Sequence, residues 1–404
     1  MPSSEGRVVR IDAADVVVIG AGIIGAACAE ALSAAGLRVL VLDRGAPAGG
    51  TTAGGEGNVL VSDKAPGPEL DLAVASRRRW PELLESLRGE LGDELVQVEW
   101  EPKGGLVVAT DEDAVGPLRI LAEAQREAGV EAVDTTAEAA RAMEPHLAED
   151  VHAAVHYPED AQLQPVLATT ALLAAVRARG GEVRGGTEVH GLVLDAAGTV
   201  GGVRLGDGTV SCGAVVNACG PWAGHFSVTV GAPIEVLPRR GAVLVTAPLP
   251  PVVVRRKVYA ADYAAAVATP HVDLQVSAVV ESTATGAVLI GSSRQRVGFD
   301  ESLEVEVLRR LARSAIRLFP VLAGVPVMRT YGGFRPYTPD HLPVIGEDPR
   351  FPGLWHASGH EGAGIGLAPA TGRLVADLMC GRQPEVDPFR FRVDRPEVIA
   401  EVRT

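Results

Sequence analysis

The feature that most constrains this chain is an apolar, strand-like run near its start that leads directly into a glycine-rich turn. Residues 15–25 read DVVVIGAGIIG, which places GxGxxG between β-branched residues and an alanine-rich stretch typical of a helix. Gly20 permits a tight turn, Gly22 lets the backbone approach a pyrophosphate, and Gly25 lets helix and strand pack closely. Since a helix N-terminus attracts anions, the run predicts a dinucleotide-binding turn.

An acidic residue at the expected spacing supports the same prediction. Asp43 lies eighteen residues beyond Gly25 and follows the next predicted strand, 37–42. A carboxylate at that position can accept hydrogen bonds from a ribose diol. The alternative is a glycine-rich turn that binds nothing, but the order of strand, motif, helix, strand and acid favours the nucleotide.

Length, charge and cysteine usage exclude several other classes. A chain of 404 residues, 47% of them hydrophobic, is long enough for about two domains. The formal net charge of −14 argues against a nucleic-acid partner, because phosphate binding requires clustered basic side chains, and the short run RRR at 77–79 is interpreted as a solvated helix face. The cysteines show no spacing typical of metal or iron–sulfur ligands, so we expect reduced thiols and no metal site: Cys28, Cys212, Cys219 and Cys380.

The hydropathy of the chain predicts where the protein is located. No stretch approaches the roughly 20 apolar residues of a membrane-spanning helix. The N-terminus is too polar for a secretory signal. We therefore expect a cytoplasmic protein.

The order of predicted elements indicates two interleaved domains. Patterns of the nucleotide-binding unit return late in the chain, with helices at 165–179 and 364–379 and strands at 214–217 and 354–358. Between them, β-branched runs separated by proline and glycine indicate a mostly antiparallel sheet. We predict an α/β protein in which a Rossmann-type nucleotide-binding domain (1–87, 155–234 and 328–404) is interleaved with an α+β substrate domain (88–154 and 235–327).

Several segments together resemble the D-amino-acid oxidase superfamily of FAD-dependent amine oxidoreductases, over essentially the whole chain. The matching segments are GAGIIG at 20–25, the glycine- and threonine-rich loop at 49–58, VNACGPW at 216–222, GGFRP at 332–336 with LPVIG at 342–346, and GHEGAGIGLAP at 359–369. The resemblance implies that the bound dinucleotide is FAD. A glycine-rich start to the last helix fits this, because helix N-terminal amides stabilise the anionic pyrimidine end of reduced flavin.

The resemblance also implies which residues contact FAD. They come from the turn, the loop at 49–58, the ends of strands and the start of the last helix: Gly20, Gly22, Ile23, Ile24, Gly25, Asp43, Arg44, Gly50, Thr51, Thr52, Gly55, Gly57, Asn58, Val189, Ala218, Gly220, Trp222, Arg335, Gly359, Gly362, Ala363, Gly364, Ile365 and Gly366.

Arg335 is the leading catalytic candidate. In glycine oxidase-like members of the superfamily the arginine of GxRP binds the substrate carboxylate, and the matching position here is Arg335. A planar guanidinium suits a bidentate carboxylate, although a structural ion pair is the alternative. Glycine oxidase-like sequences carry a second arginine shortly after the Gly-His of the last loop, whereas this chain has Glu361 and Gly362. Glu361 either accepts a hydrogen bond from a substrate amine or a guanidinium, or caps the last helix.

Other polar residues are weaker candidates for the site. His360 is a possible base, but a packed or capping histidine is the commoner outcome. Aromatic residues in sheets are usually core, so the candidates for the wall of the substrate pocket are proposed with that alternative open: Tyr259, Tyr263, His271 and Tyr337.

Three runs are similar to the catalytic subunits of multicomponent dehydrogenases: 54–64, 281–293 and 359–366. Those relatives oxidise D-hydroxyproline, opines, glycine to cyanide, or L-proline. The resemblance implies a hetero-oligomer with another flavin- or NAD-type subunit and a [2Fe-2S] protein, and a homo-oligomer is the alternative. Any iron–sulfur relay would lie on another chain, because this one lacks the ligating cysteines.

The combined prediction is FAD-dependent oxidation of the C–N bond of an amino acid or secondary amine. Hydride would leave the α-carbon for flavin N5, and electrons would pass to a partner. Two alternatives stay open: a free-standing oxidase that reduces oxygen to hydrogen peroxide, and a noncatalytic flavin-bearing subunit.

We predict that the purified protein is yellow and releases FAD when it is denatured with acid. The attachment should be noncovalent, because the loop at 49–58 contains neither histidine nor cysteine. Chromatography of the acid supernatant measures this. Recovery of only FMN or NAD would contradict the FAD prediction, and flavin in the protein pellet would contradict noncovalent attachment.

Overall fold

The computed structural model describes residues 13–250, 253–261 and 274–399. Within these ranges the strands, numbered in chain order, form two sheets of eight strands and one sheet of two. The first sheet contains β1 (Ala13–Ile19), β2 (Val39–Leu42), β8 (Glu182–Arg184), β9 (Val189–Leu194), β10 (Val200–Leu205), β11 (Gly208–Asn217), β17 (Val344–Glu347) and β18 (Leu354–Ser358).

The second sheet is mostly antiparallel, as predicted. Its members are β4 (Gly105–Ala109), β5 (Val133–Thr135), β6 (Ala153–Tyr157), β12 (Leu237–Thr246), β13 (Lys257–Ala260), β14 (Leu274–Ser282), β15 (Val288–Gln295) and β16 (Val327–Tyr337). Only the β4–β13 pair is parallel. The small sheet pairs β3 (Asn58–Val59) with β7 (Ala161–Gln162).

The described helices are α1 (Ile23–Ala34), α2 (Pro68–Leu91), α3 (Val115–Glu127), α4 (Ala137–Met143), α5 (Pro165–Ala178), α6 (Ala223–Thr229), α7 (Val305–Leu318) and α8 (Gly364–Met379). Helix α2 ends at Gly92, whose φ of +85° stops the helix. In the described part of the chain, no helix combines the length and apolar character needed to cross a membrane.

The core of the first sheet is parallel. Strand β1 lies between β2 and β11 and pairs with both in parallel, which explains why its valines and isoleucine form one continuous apolar run. Helices α1, α2, α5 and α8 cover one face, and their side chains join a single large hydrophobic cluster. Helix α7 covers the second sheet with an apolar stripe of Val307, Leu311, Ala315 and Leu318.

Strands of the two sheets alternate along the chain. The predicted fold class, a Rossmann-type α/β domain interleaved with an α+β domain, is confirmed. The predicted boundary at 327/328 falls at the start of β16, and β16 pairs along its length with β12. The antiparallel sheet therefore continues beyond that boundary, and the other boundaries stay predictions.

Helices α1 and α8 pack so closely that the stability of the protein should depend on one glycine between them. A Cβ atom on Gly372 of α8 would lie 2.3 Å from the carbonyl oxygen of Ala27 in α1. We expect Gly372→Ala to lower the free energy of unfolding by about 1 to 3 kcal/mol, because backbone atoms must move apart. Denaturant unfolding measures this difference.

Gly89 in α2 is the matched control, because a Cβ atom there meets no atom within 4 Å. Gly89→Ala should raise the free energy of unfolding by about 0.5 to 1 kcal/mol through helix propensity. Equal effects of the two substitutions would contradict the packing argument.

Candidate active site

A cavity of about 640 Å³ lies between the two large sheets. This volume is within the range of about 300 to 1,000 Å³ that is typical of ligand and cofactor pockets. The ends of β1, β2 and β11 line it from one side, and Gly241 of β12 and Arg335 of β16 line it from the other. Residues far apart in sequence thus form one site.

The glycine-rich turn forms one end of this cavity. Gly20 has a φ of +107°, and a Cβ atom on Gly25 would lie 1.9 Å from the Gly20 carbonyl oxygen. Gly22 is the N-cap of α1, whose Ile23 amide donates to Thr52 Oγ1 at 3.0 Å. The start of α1 therefore faces the cavity, as a pyrophosphate site requires.

Asp43 connects the turn to the end of β2. Its Oδ2 atom accepts a hydrogen bond from the Ala21 amide at 2.7 Å, and Oδ1 accepts one from the Gly45 amide at 2.8 Å. The residue lines the cavity, so the predicted contact with a ribose diol stays a prediction that this position allows.

Most of the predicted FAD-contact residues line the cavity. They are Gly20, Gly22, Ile23, Ile24, Asp43, Arg44, Gly50, Thr51, Thr52, Gly55, Asn58, Val189, Ala218, Gly220, Trp222, Arg335, Gly362, Gly364 and Ile365. Arg44 lies over the Trp222 ring at 4.4 Å, and Phe299 stacks on the same ring with centroids 5.4 Å apart. Phe299 follows β15 of the second sheet, and no sequence pattern indicated that it would reach this wall.

Five of the predicted contact residues are absent from the cavity lining, and their contact with FAD stays a prediction: Gly25, Gly57, Gly359, Ala363 and Gly366. The glycines permit close backbone packing; Cβ atoms on Gly57 and Gly366 would lie 1.8 Å and 3.2 Å from carbonyl oxygens. Gly359 has a φ of +81°. Ala363 is the N-cap of α8.

The start of α8 forms the other end of the cavity. Gly362, Gly364 and Ile365 line it, and no side chain caps the N-terminus of this helix. The positive end of the helix dipole is therefore available to an anionic ring. This polarity and the glycine surfaces fit FAD, whose flavin would be held by α8 and whose pyrophosphate would be held by α1.

Arg335 is held in place by β15. Its Nη1 atom donates to the Ser293 carbonyl oxygen at 2.8 Å, and Nη2 donates to Ser292 Oγ at 3.3 Å. Gly241 makes room for the guanidinium, since a Cβ atom there would lie 2.2 Å from Nη1. The guanidinium is thus oriented before any ligand binds.

Glu361 pairs with residues of the protein and does not cap α8. Its Oε1 atom forms an ion pair of 2.5 Å with Arg239 Nη1, and Oε2 lies 3.0 Å from His341 Nδ1. Arg239 is 1% exposed and also donates to Gln275 Oε1 at 2.8 Å. Burial alone would raise the pKa of Glu361, but the hydrogen bond with His341 and the charges of Arg239 and Arg294 outweigh it and lower the pKa to about 2.

Two other candidates, Tyr259 and Tyr337, do not line the cavity. Tyr259 is buried, does not line the cavity and donates to Ser62 Oγ at 2.6 Å, so it occupies the core position that is the alternative to the pocket wall. Its strand directs the side chain into the core. Tyr337 is also absent from the lining and lies beneath the Arg296 guanidinium. Tyr263 and His271 lie outside the described residues.

His360 lines the cavity as a buried, neutral histidine. Burial lowers its pKa to about 3, and its Nε2 atom lies 3.0 Å from Thr371 Oγ1. No described residue bonds to Nδ1. A ring that is neutral across the physiological range suits packing or a single hydrogen bond more than proton removal from a substrate.

Sequence reasoning missed Glu56, Arg239 and Gln275. Glu56 lines the cavity, and its signal was present as the only acidic residue in the glycine-rich loop at 49–58. Arg239 and Gln275 had no signal, because the contacts of Arg239 with Glu361 and with Gln275 join three distant segments of the chain.

The ion pair between Arg239 and Glu361 should stabilise the folded protein. We expect Glu361→Gln to lower the free energy of unfolding at pH 7 by about 3 to 5 kcal/mol, because it leaves Arg239 buried without its counter-charge. Since folding lowers the pKa of Glu361, the stabilisation is complete above about pH 4.3, the ordinary value, and is lost as the pH falls toward about 2. Denaturant unfolding across this range measures both effects.

The double variant Arg239→Met/Glu361→Gln is the control for this prediction. It should lose less stability than the sum of the two single variants, because neither charge is left alone. Additive losses would contradict direct pairing.

Comparison with known proteins identifies the family. Residues 15–378 match the DAO family, described as FAD dependent oxidoreductase. The chain is 32% identical over 382 residues to a glycine oxidase of Pseudomonas aeruginosa, covering 93% of this chain and 97% of that one. It is 30% identical over 428 residues to hydrogen cyanide synthase subunit HcnC of the same organism, covering 96% and 97%.

A solved structure agrees with these matches. Glycine oxidase from Geobacillus kaustophilus superposes with a TM-score of 0.85 at 28% identity, covering 95% of this chain and 98% of that one. The nucleotide-binding turn, the α8 N-terminus and the family match lead to the same conclusion. The chain belongs to the DAO family and is an FAD-dependent amino-acid or amine oxidoreductase.

Proposed function

We propose that this protein oxidises the C–N bond of an amino acid or of a secondary amine that carries a carboxylate. The observation that carries the proposal is the position of Arg335, whose guanidinium lines the cavity while two of its nitrogens are bonded to Ser292 and Ser293. A planar cation held in this way is suited to a carboxylate, which it can bind through two parallel hydrogen bonds.

Positioning is the main task of the protein in this reaction. Bound FAD supplies the two-electron oxidant that takes a hydride from the α-carbon. Arg335 holds the carboxylate, so that the α-carbon is directed toward the part of the cavity lined by Gly362 and Gly364. Water then hydrolyses the imine product where it is not cyclic.

The substrate range of the proposal follows the chemistry and the relatives. Similar proteins are named glycine oxidase and hydrogen cyanide synthase subunit, and an L-proline dehydrogenase from P. horikoshii has a similar structure, with a TM-score of 0.83 at 25% identity and coverage of 95% and 97%. Glycine or sarcosine, D-amino acids, proline or hydroxyproline and opines all combine a carboxylate with an amine. They form the panel to be tested.

We propose that the electrons pass to a partner, as in a dehydrogenase with a second flavin- or NAD-type subunit and a [2Fe-2S] protein. The identity to HcnC over nearly the whole chain supports this choice. A second candidate is an oxidase that reduces oxygen to hydrogen peroxide, and the comparable identity to glycine oxidases favours it.

Anaerobic mixing tests the function. Each compound of the panel is added to FAD-loaded protein, and loss of flavin absorbance reports oxidation of the amine. Air-saturated buffer is then mixed with the reduced protein in a stopped-flow instrument. Fast reoxidation would favour the oxidase, slow reoxidation would favour a partner, and a flavin that no amine reduces would overturn the proposal in favour of a noncatalytic subunit.

The role of Arg335 predicts a specific defect. Arg335→Ala should raise the apparent substrate constant and slow flavin reduction, with a combined loss of about 2 to 5 kcal/mol, as is typical when one partner of a buried charge pair is truncated. FAD content should stay nearly unchanged, because the substitution removes a substrate contact. Arg335→Lys should restore only part of the activity, since a point charge cannot form the bidentate pair.

Arg329 provides the matched control. Arg329 lies on the same strand, β16, but it is exposed and outside the cavity lining. The flavin of Arg329→Ala should therefore be reduced by substrate at the same rate as the flavin of the parent protein. Parent-like flavin reduction in Arg335→Ala would remove Arg335 from the site, and loss of FAD in that variant would indicate a structural role.

A further inference from the structure

Glu56 is a buried carboxylate that the protein leaves partly unsatisfied. The residue is 8% exposed and lines the cavity. No described residue donates a hydrogen bond to its Oε1 atom. Because Oε1 itself is fully buried, a ligand in the cavity would reach the carboxylate through Oε2, and a buried carboxylate with few protein partners indicates a ligand that provides the missing contact.

The position of Glu56 is set by the same strand that holds Arg335. A Cβ atom on Gly291 would lie 2.3 Å from Glu56 Oε1, so glycine at this position leaves space for the carboxylate. Gly291 directly precedes Ser292 and Ser293, which bind the Arg335 guanidinium. An anion and a cation therefore lie beside neighbouring residues of β15, and both line the cavity.

Lys257 pairs with a different carboxylate in this neighbourhood. Lys257 Nζ forms an ion pair of 2.9 Å with Glu281 Oε2 and also donates to Asn58 Oδ1. Burial raises the pKa of Glu281, the positive charge of Lys257 opposes that rise, and the negative charge of Glu56 adds to it. A cationic group of a ligand next to Glu56 would offset the charge of its carboxylate.

The carboxylate of Glu361 cannot provide the same contact, because both of its oxygens are engaged by Arg239 and His341. Glu56 is thus a buried carboxylate of the cavity lining whose bonding capacity is not used up by an ion pair within the described residues. A cationic nitrogen in the same ligand as an Arg335-bound carboxylate would satisfy both groups.

We propose that Glu56 binds the amino group of the substrate and accepts its proton, while Arg335 binds the carboxylate. This inference rests on the proposed function and extends it by naming a second substrate-binding and catalytic residue. The ammonium N–H bond breaks, an O–H bond forms on Glu56, and the nitrogen keeps the electron pair. The resulting neutral amine can then release hydride from its α-carbon, and its lone pair forms the C=N bond of the iminium product.

If both contacts are required, the substrate must carry a carboxylate and a basic nitrogen that are attached to the same carbon or to neighbouring atoms. Hydroxy acids and simple amines each satisfy only one of the two charged groups. Either Arg335 or Glu56 would then lack a charged partner on the ligand. The cost of that missing contact makes the site bind these compounds more weakly than amino acids.

Two achiral acids of the same carbon skeleton test the contact with the amine. 2-Aminoisobutyrate carries an ammonium group but no α-hydrogen, so it binds without being oxidised, and isobutyrate lacks the amine. The dissociation constants of both are measured for FAD-loaded protein by calorimetry and by the change in flavin absorbance. The parent should prefer 2-aminoisobutyrate by about 10- to 100-fold, as expected for a charge-assisted hydrogen bond.

Glu56→Gln should abolish this preference, so that the ratio of the two dissociation constants falls to within about threefold of one. Binding of isobutyrate should be kept or tightened, because a negative charge has been removed. Glu56→Asp should keep part of the preference. A parent that does not discriminate between the two acids, or a Glu56→Gln variant that still does, would overturn the proposal.

Glu281→Gln is the matched control. It removes a carboxylate from the same neighbourhood, but Glu281 does not line the cavity, so the preference should persist. Equal losses in both variants would show a general field effect and overturn direct binding by Glu56.

Thermal unfolding distinguishes a substrate contact from a structural role. Glu56→Gln should keep or raise the unfolding temperature, since it removes an uncompensated buried charge. A lower temperature would indicate a structural partner and overturn the proposal. The two proposals fail in different ways. The proposed function fails if no amine reduces the flavin of the parent protein. The role of Glu56 fails if the parent protein oxidises amines but Glu56→Gln binds 2-aminoisobutyrate as tightly as the parent does.

Discussion

The rest of the structure depends on close backbone contacts in the glycine-rich turn after β1, both within the turn and with the end of β11. A Cβ atom on Gly25 would meet the Gly20 carbonyl, and one on Gly20 would lie 2.3 Å from the carbonyl oxygen of Ala218. Only glycine permits both contacts, and they allow α1 to begin directly above the edge where β1, β2 and β11 end. That edge is the floor of the cavity, and α8 reaches it because Gly372 lets this helix pack against α1.

The second sheet completes the cavity from the opposite side. Strands β12 and β16 pair along their length, and this register brings Gly241 beside the guanidinium of Arg335. Because strands of the two sheets alternate along the chain, the site forms only when both sheets have folded.

Charged side chains near the cavity fall into two groups. Arg239 with Glu361, and Lys257 with Glu281, pair within the protein and hold the segments that carry them. The first pair also anchors the loop before α8, where Glu361 adopts a φ of +45°. Arg335 and Glu56 instead line the cavity, and on our proposal they bind the two charged groups of an amino acid.

The sequence by itself determined the class of the fold, and through its family resemblance it determined the cofactor and predicted most of the residues that line the cavity. The dinucleotide-binding turn follows from local order, because GxGxxG between a strand and a helix and an acid after the next strand act through neighbouring backbone atoms. The tertiary structure decided the rest, because contacts between distant segments leave no periodic signal. It placed Tyr259 in the core, gave Glu361 a buried partner in Arg239, and left the carboxylate of Glu56 facing the cavity. Whether a polar side chain binds a ligand depends on which of its hydrogen bonds the folded chain already satisfies, and only the packed structure shows that.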